Sequence, residues 1–139
     1  MSIYIFIYGT LRSGEINDLE KLAERFGLTQ PARLGQASTS GTLYDFGDWP
    51  GLVASDSGKA IVGDVYAVDA ALLAAMDVVE GYEPEQNTLF VRRRVRLEVD
   101  GQQLDCFFYP VDPARLGTAV PIEHNDWVAY RKNRQVNKR

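Results

Sequence analysis

Two features of this chain have residue types and spacing that chemistry can use. The first is Ile3 to Gly14, which reads I-Y-I-F-I-Y-G-T-L-R-S-G. A β-branched and aromatic run stops at Gly9, and a second glycine, Gly14, follows within a short loop. The pattern predicts a buried strand, Ile3 to Tyr8, feeding a tight turn whose backbone can come close to a ligand. Successive N–H groups of such a turn can converge on an anion. Taken alone, the glycines favour an ordinary strand followed by a glycine turn.

The second feature is Glu80. Leu72, Leu73, Met76 and Val79 lie on one face of a helix predicted over Ala70 to Val79, with Asp69 as its N-cap and Gly81 as its stop. Glu80 therefore falls at the negative end of the helix dipole, where a carboxylate is disfavoured by about 0.3–1 kcal/mol. Asp77, one turn earlier, is a possible like-charge neighbour. Both effects raise a carboxylate pKa, and burial raises it further. A glutamate held nearer neutrality can take up a proton and later return it. The plain alternative is a solvated glutamate at a frayed helix end.

The remaining elements must position these two features. A helix is expected over Ile16 to Phe26, stopped by Gly27, with Ile16, Leu19, Leu22, Ala23 and Phe26 on its stripe. Ala32 to Tyr44 is expected as a strand, Asp45 to Gly51 as a turn, and Leu52 to Ser55 as a short strand. Strands are also expected over Ile61 to Val68, Phe90 to Val99 and Gln103 to Tyr109. Asp100-Gly101 marks a tight hairpin between the last two. A proline-containing loop and a helix over Asp126 to Arg134 complete the chain. This order predicts an α+β fold, a small curled or closed mixed β-barrel with two to three flanking helices.

Composition narrows the function classes. A chain of 139 residues with 45% hydrophobic residues predicts one domain over residues 1–139 with a single core. No apolar run approaches the ~20 residues that span a bilayer, and the opening Met1-Ser2-Ile3-Tyr4 has no basic n-region. The single cysteine, Cys106, permits no internal disulfide, so a cytoplasmic location is expected. The net charge of −4 argues against general nucleic-acid binding. Cys106 alternates with Leu104 and Phe108 in the pattern of a core face. His124 is the only histidine, so no histidine-rich metal site and no metal are expected. His124-Asn125-Asp126 reads as a capping segment, and no G-x-S-x-G elbow accompanies it. The Gly9 loop lacks the Walker lysine and the G-x-G-x-x-G spacing. One of Arg92, Arg93, Arg94 and Arg96 could pair with a site carboxylate, and a solvated strand face is the alternative. The basic tail Arg131 to Arg139 is expected to fray.

Several segments in order resemble the gamma-glutamylcyclotransferase superfamily, in its small gamma-glutamylamine cyclotransferase, AIG2-like branch. Tyr8-Gly9-Thr10-Leu11 with Gly14 is similar to that family's substrate-binding loop, and Trp49-Pro50-Gly51-Leu52-Val53 to its Pro-Gly turn. Val62-Gly63-Asp64-Val65-Tyr66 resembles its central strand, where glutamate often stands in place of Asp64. Ala75-Met76-Asp77-Val78-Val79-Glu80-Gly81-Tyr82 resembles the helix end bearing its catalytic glutamate, which falls on Glu80. Asp126-Trp127 with Tyr130-Arg131 resembles its C-terminal helix. Phe90 departs from the pattern, standing where a tyrosine is common.

The resemblance implies a cofactor-free reaction on a small gamma-glutamyl substrate. The substrate's α-amine attacks its own γ-carbonyl, releasing 5-oxoproline and an amine, with Glu80 as base and then acid. Tyr8, Gly9, Thr10 and Leu11 would hold the α-carboxylate through backbone N–H groups, with Gly9 leaving room for the ligand. Tyr109 is a candidate hydroxyl donor, and Tyr82 a weaker one. The alternatives are a non-catalytic binding module on the same fold, or an amidase or acyltransferase using the same pocket. The leaving amine lies outside the elements that would recognise the glutamyl group, in loops such as Asp45 to Gly51 and Glu83 to Leu89. Gamma-glutamyl amino acids, glutathione, gamma-glutamyl-lysine and a biosynthetic intermediate are all candidates.

Overall fold

The first strand reads as an unbroken apolar run because both of its faces are covered. In the computed structural model, which describes residues 3–15 and 18–136, β1 (Ile3–Ile7) turns Ile5 and Ile7 toward two helices and Phe6 toward the inside of a curled sheet. Two clusters result. One joins Ile5, Ile7, Tyr66 and Val68 to Leu19, Leu22 and Ala23 of α1 (Leu19–Arg25) and Leu72, Leu73 and Met76 of α2 (Ala70–Val79). The other fills the curl with Phe6, Tyr8, Leu43, Leu52, Val65, Phe108 and, from α3 (Trp127–Val136), the fully buried Trp127.

The sheet is mixed. Besides β1 it contains β2 (Ala32–Asp45), β3 (Pro50–Ala54), β4 (Lys59–Val68), β5 (Arg93–Val99) and β6 (Gln102–Phe108), in the order β3-β2-β4-β1-β6-β5. The short β7 (Val120–Ile122) lies beside β2. β1 runs parallel to β6 and antiparallel to β4. The fourteen-residue β2 pairs with β4 along most of its length and with β3 and β7 at its far end. A Cβ placed on Gly35 would lie 3.1 Å from a methyl of Val99, so the start of β2 touches the end of β5. The sheet thus curls into a half-barrel flanked by three helices, the curled form of the expected architecture.

Local signals placed several elements well. α2 spans the expected residues, and Asp69 accepts from the Leu72 N–H at 2.9 Å as its cap. Asp100 and Gly101 have φ of +49° and +80°, the left-handed pair of a tight hairpin turn. Other boundaries moved for reasons that lie elsewhere in the chain. α1 starts at Leu19 because Asp18 caps it, accepting from Lys21 N–H and Gly14 N–H. The expected start at Ile16 lies outside the described residues. The turn between β2 and β3 is shorter than expected. β2 continues to Asp45, and Pro50 opens β3, an allowed strand position for proline. β5 begins at Arg93, not at Phe90. Phe90 instead bridges to Val111, while Val91 donates to Pro110 and Asp112 to Leu89. The proline-containing loop holds a 3₁₀ turn, Pro113–Arg115, and β7, neither of which was expected.

The loop after β1 is held by a buried charge cluster. Asp64 of β4, 2% exposed, accepts from Arg12 Nε at 3.3 Å, from Arg33 Nη2 at 2.9 Å and from the Ser13 N–H at 3.1 Å. The buried Arg12 reaches on to Asp126 at 2.7 Å. Two further pairs fasten α3 to the body, Arg131 to Glu15 and Arg134 to Asp45, each at 2.8 Å. Arg131 and Arg134, expected in a frayed tail, are thus tied down. Removing one member of such a buried cluster strands the others, which costs about 3–5 kcal/mol. Asp64→Ala is expected to lower unfolding stability by about 3 kcal/mol in denaturant titrations. Arg96→Ala, which breaks the exposed Arg96–Asp105 pair, should leave it nearly unchanged. Equal effects of the two would contradict the anchoring role of Asp64.

Candidate functional site

The end of α2 is built to fix one residue. Gly81 has φ +68°, its N–H donates to Val78 O at 3.1 Å, and the Tyr82 N–H donates to Asp77 O at 2.8 Å. These two bonds are the Schellman closure of a helix. They place Glu80 as the half-in last residue, with its own N–H on Met76 O at 2.9 Å. Its side chain is partly buried, and among the described residues no hydrogen bond reaches its carboxyl. Burial pushes its pKa up from 4.5 to about 7. The expected contribution from Asp77 is absent, because that carboxylate faces other partners. It accepts from Arg92 Nη1 at 2.6 Å and from the Tyr109 hydroxyl at 2.6 Å.

Glu80 opens onto a cleft of about 510 Å³ between α2, the loop after β1, the β2–β3 turn and the segment before β5. Tyr8, Gly9, Thr10, Leu11 and Tyr109 line the same cleft, so all six site residues expected from the sequence meet there. The loop turns sharply, with Arg12 N–H donating to Gly9 O at 3.1 Å and Gly14 at φ +84°. Among the described residues, no hydrogen bond takes up the N–H of Gly9, Thr10 or Leu11. Three adjacent backbone donors with no partner are suited to an anion.

Three details differ from expectation. A Cβ on Gly9 would lie 2.9 Å from Pro50 Cγ. Gly9 is therefore required by the stiff proline ring packed on it. The Tyr109 hydroxyl gives its hydrogen to Asp77, so it faces the cleft as an acceptor and not as a donor. Tyr82 is absent from the lining and sits under the Arg92 guanidinium, 5.4 Å from its ring centre. Tyr8 acts as a brace, donating to Tyr109 O at 2.7 Å and accepting from Leu52 N–H at 3.1 Å. Burial, reinforced by the charge of Glu80, pushes its phenol far above the ordinary range. Phe90 lines the cleft with no hydroxyl to offer.

The Asp77–Arg92–Tyr109 chain is not legible in the sequence as a unit, although Arg92 is one of the four arginines able to pair with a site carboxylate. Its members lie on α2, before β5 and after β6, and only the fold joins them. Cys106 is buried and its thiol pKa is pushed up to about 11 by burial, the behaviour of a core residue. His124 packs edge-on against Tyr130. Asp126 caps α3 through Ala129 N–H. No group of three or more potential metal ligands occurs among the described residues. Nor is any described helix long and apolar enough to cross a membrane.

The family described as gamma-glutamyl cyclotransferase, AIG2-like, matches residues 5–129. The chain belongs to that family. A Halalkalibacterium halodurans protein provisionally named a gamma-glutamylcyclotransferase is 30% identical over 96 residues, covering 68% of this chain and 85% of its own length. A provisionally named Vibrio cholerae gamma-glutamylcyclotransferase is 39% identical over 82 residues, covering 58% of this chain and 64% of the relative. The crystal structure of a mouse AIG2-like protein superposes with a TM-score of 0.72 at 25% identity, over 91% of this chain and 88% of that one. The AIG2-like fold accounts for the half-barrel and three helices, and the gamma-glutamyl cyclotransferase family is an enzyme family. Glu80 and the Gly9 loop both fall within the matched segment.

The unpaired Glu80 carboxyl has a consequence for stability. Its folded pKa of about 7 lies above the ordinary 4.5. Its contribution is therefore fully present below 4.5 and is lost as pH rises through about 7. Glu80→Gln does not titrate. Relative to wild type, the variant should be more stable at about pH 8 than at about pH 5, measured by chemical unfolding at both. A difference independent of pH would show that Glu80 is not desolvated.

Proposed function

We propose that this protein is a cofactor-free gamma-glutamyl cyclotransferase with Glu80 as the proton carrier. The observation that carries the reading is one cleft lined both by the desolvated Glu80 carboxyl and by Gly9, Thr10 and Leu11, whose backbone N–H groups have no partner among the described residues. The N–H groups of Gly9, Thr10 and Leu11 receive the substrate's α-carboxylate. Its α-ammonium then lies toward Glu80 and the acceptor oxygen of Tyr109. Glu80, ionised near pH 7, takes one proton from that ammonium. The freed amine attacks the γ-carbonyl and closes a five-membered ring. As the γ-carbon to nitrogen bond breaks, Glu80 returns the proton to the departing nitrogen, and the ring nitrogen releases its second proton to solvent to become the lactam N–H. The products are 5-oxoproline and a free amine, and Glu80 is again ionised. Nucleophile and carbonyl share one molecule, so the enzyme's main task is to hold the reactive conformer.

A carboxyl with pKa near 7 suits both halves of this cycle, since a base much weaker or stronger would fail at one of them. The Asp77–Arg92 pair acts at one remove. It fixes the Tyr109 hydroxyl so that its lone pairs face the substrate. Proteins provisionally named gamma-glutamylcyclotransferases among the relatives support the reaction class.

Incubation with gamma-glutamyl amides, with 5-oxoproline read by mass spectrometry, tests the reaction. Glu80→Gln is expected to lower kcat by about 10²–10⁴-fold while substrate still binds. Glutamate in place of 5-oxoproline would mean hydrolysis and sink the cyclisation. In wild type, kcat/KM should rise with pH to a plateau with its midpoint near 7, because the base must be ionised. A profile flat between about pH 5 and 8 would exclude Glu80 as that base. Tyr109→Phe should lower kcat/KM by about tenfold, the loss expected for a hydrogen bond to a charged group.

A further inference from the structure

We propose that the leaving amine accepted by this enzyme is apolar and carries no carboxylate, as in a gamma-glutamyl alkylamide or arylalkylamide. The inference rests on the cyclotransferase reading and adds the substrate class to it. The cleft of about 510 Å³ is in the range that encloses a drug-sized ligand and exceeds what a glutamyl group fills. The glutamyl end is assigned to the Gly9 loop, Glu80 and Tyr109. Beyond the inner residues Phe6, Ile7 and Gly81, the rest of the lining is Trp49, Pro50, Val79, Thr88, Leu89 and Phe90.

Apart from Thr88, whose hydroxyl donates to Phe90 O at 2.7 Å, this remainder is apolar, and its outer part is open to solvent. Trp49 is 42% exposed and Val79 48% exposed, while Leu89 and Phe90 are partly buried. Exposed apolar side chains clustered at a cleft mouth mark a surface that a ligand covers. Trp49 is also prevented from collapsing inward. Its ring stacks on Phe46, with planes 9° apart and centroids at 6.4 Å, and Pro50 beside it is seated on Gly9.

Charge points the same way. Glu80 is the one charged residue in the described lining. The nearby cations are engaged, Arg92 with Asp77 and Arg12 with Asp64 and Asp126. A leaving group with its own carboxylate, such as the cysteinylglycine of glutathione or the free end of gamma-glutamyl-lysine, would lose water without gaining a partner. Exposed Asp48, Glu83 and Glu85, in the segments flanking the mouth, add repulsion. The two segments open for amine recognition, Asp45 to Gly51 and Glu83 to Leu89, contribute Trp49, Pro50, Thr88 and Leu89 to the lining.

The test compares gamma-glutamyl-benzylamide, gamma-glutamyl-ε-lysine, gamma-glutamyl-putrescine and glutathione. Turnover is read as 5-oxoproline, and binding to wild type and to Glu80→Gln is read by calorimetry. Benzylamide is expected to exceed glutathione and gamma-glutamyl-lysine by at least about tenfold in both readouts. Trp49→Ala should shrink that preference, and Trp49→Arg should shift it toward glutathione. If benzylamide binds preferentially but yields no 5-oxoproline, the apolar site stands and the cyclotransferase reading falls. If 5-oxoproline forms from glutathione or gamma-glutamyl-lysine as fast as from benzylamide, the reaction stands and the proposal is overturned. Preference for putrescine over benzylamide also overturns it, in favour of an amine drawn by the acidic flanks. Binding of none of the four overturns both.

Discussion

A carboxylate removed from water must find partners or move toward neutrality, and this molecule does each at a different glutamate or aspartate. Asp64 is held by Arg12, Arg33 and a backbone N–H. Glu80 has no such donors among the described residues, and its pKa climbs to about 7. The first arrangement fixes the loop after β1, and the second supplies a group able to exchange protons at neutral pH. The site depends on keeping these two environments separate. Asp77 shows how close they come. One helical turn from Glu80, it would add a like charge if it faced the same way. Arg92 and Tyr109 hold it elsewhere.

The curled sheet brings the parts together. β1 lies between β4 and β6, so its end meets Asp64 on one side and Tyr109 near the other. The Tyr8 hydroxyl joins the end of β1 to the middle of β3 and the end of β6 through two hydrogen bonds. Pro50 packs on Gly9 and ties the β2–β3 turn to the loop. α2 then delivers Glu80 through a helix end whose geometry a single glycine fixes. Each contact joins segments distant in the chain, so the cleft is a product of the whole half-barrel.

What could be read from the sequence was local. The period of α2, its Asp69 cap and its Gly81 stop lie within one helix, and the helix appears where they put it. The Asp100-Gly101 hairpin is a two-residue property and formed as expected. What could not be read depends on contacts across the fold. Phe90 looks like strand, yet pairing with Val111 takes it off β5. Gly9 looks like room for a ligand, yet Pro50 occupies that room. Burial raises the Glu80 pKa, and the sequence shows the helix end but not its burial, which is a tertiary quantity.

The central claim is that Glu80 is a desolvated carboxyl poised near neutrality. The direct measurement is its titration by carbon-13 NMR of carboxyl-labelled glutamate, with Glu80→Gln used to assign the signal. A midpoint near 7 is the predicted result. A midpoint near the ordinary 4.5 would mean a solvated carboxylate and would contradict the account of the site.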